Sequence, residues 1–386
     1  MTAVHVSFPP HARDWLTLTF LPGLGCGLVN RLVDAFATPA AVLAAGDGVR
    51  RVRGCGPGLA ALLTDQGRLA RARQRADQTL ACLARHHISL VCRDDPDYPA
   101  LLRSIDDPPV VLYYRGDLAC LDADPVALVG SRAATSYGRR SSFTLARDLA
   151  GEGITVISGL AHGIDAAAHR GALEGGGATV GILGCGIDVV YPRDHEELYR
   201  QVEAAGALIS EYPPGTRPDG FRFPARNRII AGLALGVVVV EATLRSGSLI
   251  TARLALDHGR EVFAVPGRID SDRSAGPHRL LQQGAYLAQS AGDVLLELGL
   301  AVPRPQPPPD DASTSRAAGL GEDERLLLSV LEVYPRDIDE IIRASGLTPQ
   351  RVHALLLSLE LTGLVRQLPG QMYERSDNSS PLSATT

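Results

Sequence analysis

Short, wholly apolar runs alternate with stretches of helical period through the middle of the chain, and this alternation sets the fold before any single residue is weighed. The runs are Val126–Val129, Thr155–Ile157, Thr179–Leu183, Leu208–Ser210, Val237–Val240 and Val262–Val265. They lack the in-and-out alternation of a strand with one wet face. They therefore predict a parallel sheet covered by helices on both sides. In such sheets ligands bind beyond the carboxyl ends of the strands, where the strand order switches. The residues that follow the runs are small or polar, among them Gly130-Ser131-Arg132, Ser158-Gly159-Leu160, Gly184-Cys185-Gly186 and Glu241-Ala242-Thr243. A sheet built only for packing has no need of such ends at so many strands, so the pattern predicts a binding rim.

The flanking blocks differ from the middle. Residues 1–92 read as helical, with short Gly turns at Leu21-Pro-Gly-Leu-Gly25 and Gly54-Cys-Gly-Pro-Gly58 that resemble helix-hairpin-helix turns. Residues 93–300 hold the α/β block. Residues 301–319, rich in Pro, Ser and Asp, lack an apolar period and predict an extended linker. In residues 320–375, helices are expected over Glu324–Leu331, Ile338–Ala344 and Pro349–Thr362, followed by a short wing strand from Gly363, which together spell a winged helix. Residues 376–386 predict a disordered tail.

Composition narrows the function. A length of 386 residues suggests several domains, and a formal charge of -5 argues against coating duplex DNA by bulk attraction, so nucleic-acid contact must come from a local patch. All 38 cationic side chains are Arg, which excludes a Schiff-base or Walker lysine. The six cysteines include no Cys-x-x-Cys pair, so neither a zinc knuckle nor a disulfide framework is expected. With no apolar run of membrane length and no leader pattern, a cytoplasmic protein without membrane attachment is expected.

The densest chemistry lies between Phe221 and Gly267. Arg217, Arg222, Arg226 and Arg228 fall within twelve residues beside Asn227, and guanidinium forks suit phosphate because they bond two oxygens at once. After the next strand, Ser246, Gly247 and Ser248 stand where a helix begins, with amides and hydroxyls suited to an anion. Gly130, Ser131 and Arg132 form a second such turn, in which the backbone and Ser131 would cradle a phosphate that Arg132 clamps. Ser158 and Gly159 close a third strand. His162, Asp165 and His169 share one helical face by spacing but fit capping or phosphate contact better than a metal. No nucleophile with a supporting base emerges, so no catalytic residue, metal or cofactor is expected.

These strings together resemble the DprA (Smf) family of DNA-processing proteins. The resemblance runs in order from Tyr98-Pro99 and Asp107-Pro-Pro109 through Val129-Gly-Ser-Arg132, Ser158-Gly-Leu-Ala161, Gly163-Ile-Asp165, Ser210-Glu-Tyr-Pro213, Phe223-Pro-Ala-Arg-Asn-Arg-Ile-Ile-Ala-Gly232, Ser246-Gly-Ser-Leu-Ile-Thr-Ala252 and Val265-Pro-Gly267 to Gly284-Ala285. It implies an extended Rossmann-like core, a helix-hairpin-helix or SAM-like N-terminal domain and a winged-helix-like C-terminal domain. It further implies a homodimer that binds single-stranded DNA, loads RecA onto it during natural transformation and helps displace single-strand-binding protein. Gly130, Ser131, Arg132 and Arg226-Asn227-Arg228 would line the DNA pocket, with Ser158, Gly159, Ser246 and Ser248 beside it. His195 and His278 stand where the family pattern has Asn. A nucleotide hydrolase using Glu241 or Asp165 is the competing reading. A duplex-reading C-terminal helix is a weaker one, since Pro349–Thr362 offers few polar base readers.

Overall fold

The computed structural model describes residues 8–300, 321–331, 335–368 and 370–375. The predicted linker and the predicted disordered tail lie outside the described residues. Residues 8–133 and 142–300 belong to one compact unit, and residues 134–141 with the C-terminal segment belong to another.

The first unit begins with helices α1 (Ala12–Thr19), α2 (Cys26–Phe36), α3 (Pro39–Ala44), α4 (Pro57–Thr64) and α5 (Gln66–Arg85). The chain then alternates: β1 (Ser89–Cys92), α6 (Ala100–Arg103), β2 (Val111–Gly116), β3 (Val126–Val129), α7 (Ser136–Gly151), β4 (Val156–Ser158), α8 (Ile164–Glu174), β5 (Thr179–Leu183), α9 (Glu196–Ala205) and β6 (Ala207–Ser210). It closes with α10 (Arg222–Leu233), β7 (Gly236–Val239), α11 (Ser248–Asp257), β8 (Glu261–Ala264), α12 (Ala275–Gln282), β9 (Tyr286–Leu287) and α13 (Ala291–Glu297).

The nine strands form one sheet in the order β1-β2-β6-β5-β4-β3-β7-β8-β9. From β6 to β9 the pairings are parallel, while β2 joins β6, and β1 joins β2, antiparallel. The chain winds outward from β3 through β4, β5 and β6, then returns to place β7 on the other side of β3, so the switch point lies between β3 and β7. The strands there are buried at every position. Successive residues of β6 serve opposite faces: Leu208 joins one core, and Ala207 and Ile209 join the other.

The six predicted strands appear within a residue of their expected ends. Three others, β1, β2 and β9, lie outside the expected runs. Ser89–Cys92, expected to be helical, is the outer strand β1. The N-terminal helices also share a core with the sheet, where Trp15, Leu16 and Leu83 pack in one cluster with Leu90, Tyr113 and Leu208. Polar stitches fix this junction: Trp15 Nε1 donates to Asp94 Oδ1 at 2.7 Å, and Asn30 Nδ2 donates to the Pro108 carbonyl at 2.8 Å. Leu21–Gly25 separates α1 from α2, and Gly56 caps α4 with Pro57 at its first turn.

The second unit contains α14 (Glu322–Val330), β10 (Arg336–Asp337), α15 (Ile338–Ser345), α16 (Pro349–Leu361), β11 (Val365–Leu368) and β12 (Met372–Arg375). Its three strands pair antiparallel in the order β10-β12-β11. Gly346 ends α15 in the left-handed conformation, with φ 67°, and Pro349 starts α16, which gives the tight helix-turn-helix corner. Leu327, Ile341, Val352, Leu359 and Tyr373 fill its own small core. Among the described residues no helix is long and apolar enough to cross a membrane.

Candidate functional site

At the switch point, beyond the carboxyl ends of the strands, a cleft encloses about 510 Å³. Its walls are Val129–Arg132 after β3, Ala161 and Asp165 after β4, Tyr191 after β5, Pro218–Gly220 after β6, the first turns of α10, and Ser246–Ser248 with Thr251 at the head of α11. Eight of the twelve sequence-predicted residues line it: Gly130, Ser131, Arg132, Arg226, Asn227, Ser246, Gly247 and Ser248. Ser158, Gly159, Arg222 and Arg228 do not.

Arg132 is exposed, and its guanidinium carbon lies 4.9 Å from the Phe223 ring centre. Phe223 meets Tyr191 with ring centroids 5.5 Å apart and planes inclined by 30°. Gly184 makes room for this pair, because a Cβ there would lie 2.7 Å from Phe223 Cδ1. Charge and aromatic faces thus stand side by side, the combination that single-stranded nucleic acids need for backbone attraction and base stacking. Tyr191 belongs to the strand-end loop after Gly184–Asp188, far from the Arg cluster in sequence, where a plain structural turn is an equal expectation. Of the three aromatics near the Arg cluster in sequence, Phe223 lines the cleft, whereas Tyr212 and Phe221 flank Arg222 at 5.4 and 5.0 Å, outside the lining.

The head of α11 supplies the second wall. Gly247 is the N-cap residue and offers no side-chain bond to the first-turn amides. The Ser246 and Ser248 hydroxyls lie 2.7 Å apart, and Asn227 Nδ2 donates to the Gly247 carbonyl at 3.3 Å. The first-turn amides are already bonded, Ser248 to the Ser246 hydroxyl at 3.4 Å, Leu249 to the Ser246 carbonyl at 3.2 Å and Ile250 to the Gly247 carbonyl at 3.1 Å, so what this wall offers an anion is the Ser246–Ser248 hydroxyl pair and the positive end of the helix.

The turn after β3 is more rigid than expected. The Ser131 amide donates to the Glu241 carbonyl at 2.7 Å, and the Ile164 amide donates to the Ser131 carbonyl at 3.2 Å. Ser131 Oγ accepts from Arg273 Nη1 at 3.1 Å. The Ser131 backbone therefore holds neighbouring loops instead of cradling an anion, which corrects that part of the sequence reading. Arg273, unforeseen, brings a further guanidinium to this turn. Gly130 is required by packing, since a Cβ there would lie 2.5 Å from Ile164 Cγ1.

Two lining residues, Arg226 and Asp165, and the Ser158 and Gly159 behind them are held in the structure. Arg226 is 4 % exposed, and its Nη1 donates to the Ile182 carbonyl at the end of β5. Gly159 exists for this side chain, because a Cβ there would stand 2.1 Å from Arg226 Nη1. Burial pushes the Asp165 carboxyl above the ordinary carboxylate value, with the Arg226 charge acting against that shift. Asp165 Oδ2 also accepts weakly from the Ala161 amide at 3.4 Å. Leu160, beside it, has φ 55°, a costly conformation for a leucine. Ser158 is fully buried, with its hydroxyl on the Leu128 carbonyl at 2.6 Å, and so cannot reach a ligand.

Arg228 turns away from the cleft. It pairs with the Glu211 carboxylate, and its Nη1 donates to the Asp107 carbonyl at 2.9 Å. Burial pushes the Glu211 carboxyl up, with Arg228 opposing. Asp107, Pro108 and Pro109 thereby receive three side chains on successive carbonyls, from Arg228, Asn30 and the Tyr98 hydroxyl. Arg222 is half-buried and donates to the Arg217 carbonyl.

The histidines also separate. His169 is fully buried against Thr179 Oγ1 at 2.7 Å, so His162, Asp165 and His169 are not a set. His195 places Nδ1 3.0 Å from the Leu160 carbonyl, and His278 places Nε2 3.1 Å from the Gly267 carbonyl. Both residues that depart from the family pattern thus settle on backbone.

A doubly wound sheet with a cationic, aromatic cleft at its switch point, followed by a winged helix, defines a Rossmann-like α/β protein built to take an anionic ligand. The family model described as DNA recombination-mediator protein A matches residues 89–299, and that of the DprA winged helix domain matches residues 303–371. Protein Smf of Escherichia coli is 39 % identical over 302 residues, covering 77 % of this chain and 80 % of that protein. The putative DNA processing protein DprA of Mycobacterium tuberculosis is 37 % identical over 383 residues, covering 94 % of each. The X-ray structure of DprA from Streptococcus pneumoniae matches with a TM-score of 0.62 at 36 % identity, over 74 % of this chain and 97 % of that one. A structure of DprA from Helicobacter pylori, described for its single-stranded DNA binding mode, matches with a TM-score of 0.50 at 32 % identity, over 55 % and 95 %. The chain belongs to the DprA/Smf DNA-processing family.

Proposed function

We propose that the cleft binds single-stranded DNA, with Arg132 and the head of α11 holding backbone phosphates and Tyr191 with Phe223 stacking bases. The observation that carries this reading is the exposed Arg132 guanidinium 4.9 Å from the Phe223 ring, itself against Tyr191, in a cleft at the switch point of the sheet. The single-stranded DNA of the Helicobacter pylori relative supports the same ligand class. In the finer form of the proposal, a homodimer in the cytoplasm hands the strand to RecA and helps displace single-strand-binding protein. No turnover is assigned. A hydrolase reading needs a carboxylate able to activate water, and Asp165 is buried with Arg226 and the Ala161 amide as neighbours.

The test is anisotropy of a labelled single-stranded oligonucleotide with duplex as competitor. Tyr191→Ala is expected to weaken single-strand binding by about 1–3 kcal/mol, the range for loss of one stacking partner. Equal affinity for duplex, or an unchanged Tyr191→Ala, contradicts the reading.

A further inference from the structure

His162, Asp194 and His195 each bring a ligand atom to within 4.8 Å of the others. The sequence reading did not foresee this group, because His162 follows β4 and the other two precede α9. Its geometry has the marks of a metal site. His195 is 4 % exposed, and its Nδ1 lies 3.0 Å from the Leu160 carbonyl oxygen. A carbonyl only accepts, so in the neutral ring Nδ1 carries the proton and Nε2 keeps its lone pair. Metal-ligating imidazoles are held in this way, by donating the far nitrogen to a fixed acceptor. The ring of His162 crosses that of His195 at 74° with centroids 4.7 Å apart, and His162 Nε2 lies 3.7 Å from Asp194 Oδ1.

We propose that these three residues bind a divalent ion of the Zn²⁺ class. Two imidazoles and one carboxylate suit zinc, whereas Ca²⁺ and Mg²⁺ favour all-oxygen shells. Zn–N bonds of about 2.0–2.1 Å put tetrahedral ligands about 3.3 Å apart. The group must therefore contract. His195 is the fixed member, while His162 and Asp194 have side chains 51 % and 67 % exposed and are free to rotate inward. Three protein ligands leave one position for water or another oxygen donor. The bound ion would tie the loop after β4 to the segment before α9. Ala161 and Tyr191, which line the cleft, lie in or beside those two segments. The site stands apart from the DNA reading and is tested without DNA.

The test uses the full chain, stripped of metal by a chelator and dialysed, then titrated with Zn²⁺ against a chromophoric competitor. One ion per chain is expected, with affinity about tenfold or more lower in His162→Ala and in Asp194→Asn, and unchanged in the distant His87→Ala. Both test positions are exposed, so folding is checked by melting temperature and is expected to hold. With Co²⁺ in place of zinc, the parent is expected to lack the thiolate charge-transfer band that cysteine binding would give. No binding, binding undiminished in either His162→Ala or Asp194→Asn, or a thiolate band in the Co²⁺-loaded parent overturns the site.

Discussion

The turn after β3 and the Arg cluster on α10 are both basic and face one another across the cleft, yet their arginines do different work. Arg132 sits on a turn whose backbone is already bonded to Glu241 and Ile164, so its side chain is left in the open over Phe223. On α10, Arg226 is bonded into the sheet and Arg228 pins the Asp107 loop through Glu211 and the Asp107 carbonyl. Density of charge in sequence therefore marks the site without saying which charges meet the ligand. A guanidinium that has bonded carbonyls and a buried carboxylate is part of the scaffold. One held by a fixed turn with its fork free is available for phosphate.

Removing the scaffold arginine tests this contrast most strongly. Arg228→Ala leaves Glu211 buried without its partner and is expected to cost about 3–5 kcal/mol of stability, read as a fall in the urea midpoint. A loss under 1 kcal/mol breaks the distinction. Gly159→Ala acts on the other scaffold arginine: its Cβ would stand 2.1 Å from Arg226 Nη1, and such overpacking costs about 1–3 kcal/mol. Combined with Arg226→Ala the penalty is expected to shrink, and strict additivity in a double-mutant cycle would refute the contact.

Acid probes the same buried side. Burial holds His169 down at about 3, below its ordinary value near 6.5, and its Nε2 has no partner. The unfolded chain then binds the extra proton between these values. Stability from this group is complete above about pH 6.5 and falls as pH drops through the window, by at most about 1.4 kcal/mol per unit. His169→Gln is expected to flatten that part of the pH profile; equal slopes in both proteins would remove His169 as its source.

Much of this fold was legible, and the reasons it was not fully so are local. The six apolar runs became strands because continuous Val, Ile and Leu suit a doubly covered sheet. The strand at Ser89–Cys92 is apolar and largely buried but follows directly on a long helical pattern that masks it, and β9 is a two-residue strand with both side chains exposed, which carries no apolar signal. Within the site, Gly130 to Arg132 and Ser246 to Ser248 followed from strand ends and helix starts, whereas Tyr191 and Arg273 arrive only through tertiary placement. One sign was available and unused. Arg226 precedes Ile229, Ile230 and Leu233 by three, four and seven residues, which puts it on the buried face of α10.

The smallest predicted effect is the most direct test. The affinity of the protein for a single-stranded oligonucleotide should be measured across a salt series for the parent, Arg132→Ala and Arg228→Ala, each with its melting temperature. The account predicts that Arg132→Ala binds more weakly with a log-log salt slope shallower by about 0.7, the value for one single-strand phosphate contact, while melting like the parent. Arg228→Ala should melt earlier and, where folded, keep the parental slope. A shallower slope in Arg228→Ala with an unchanged slope in Arg132→Ala would contradict it.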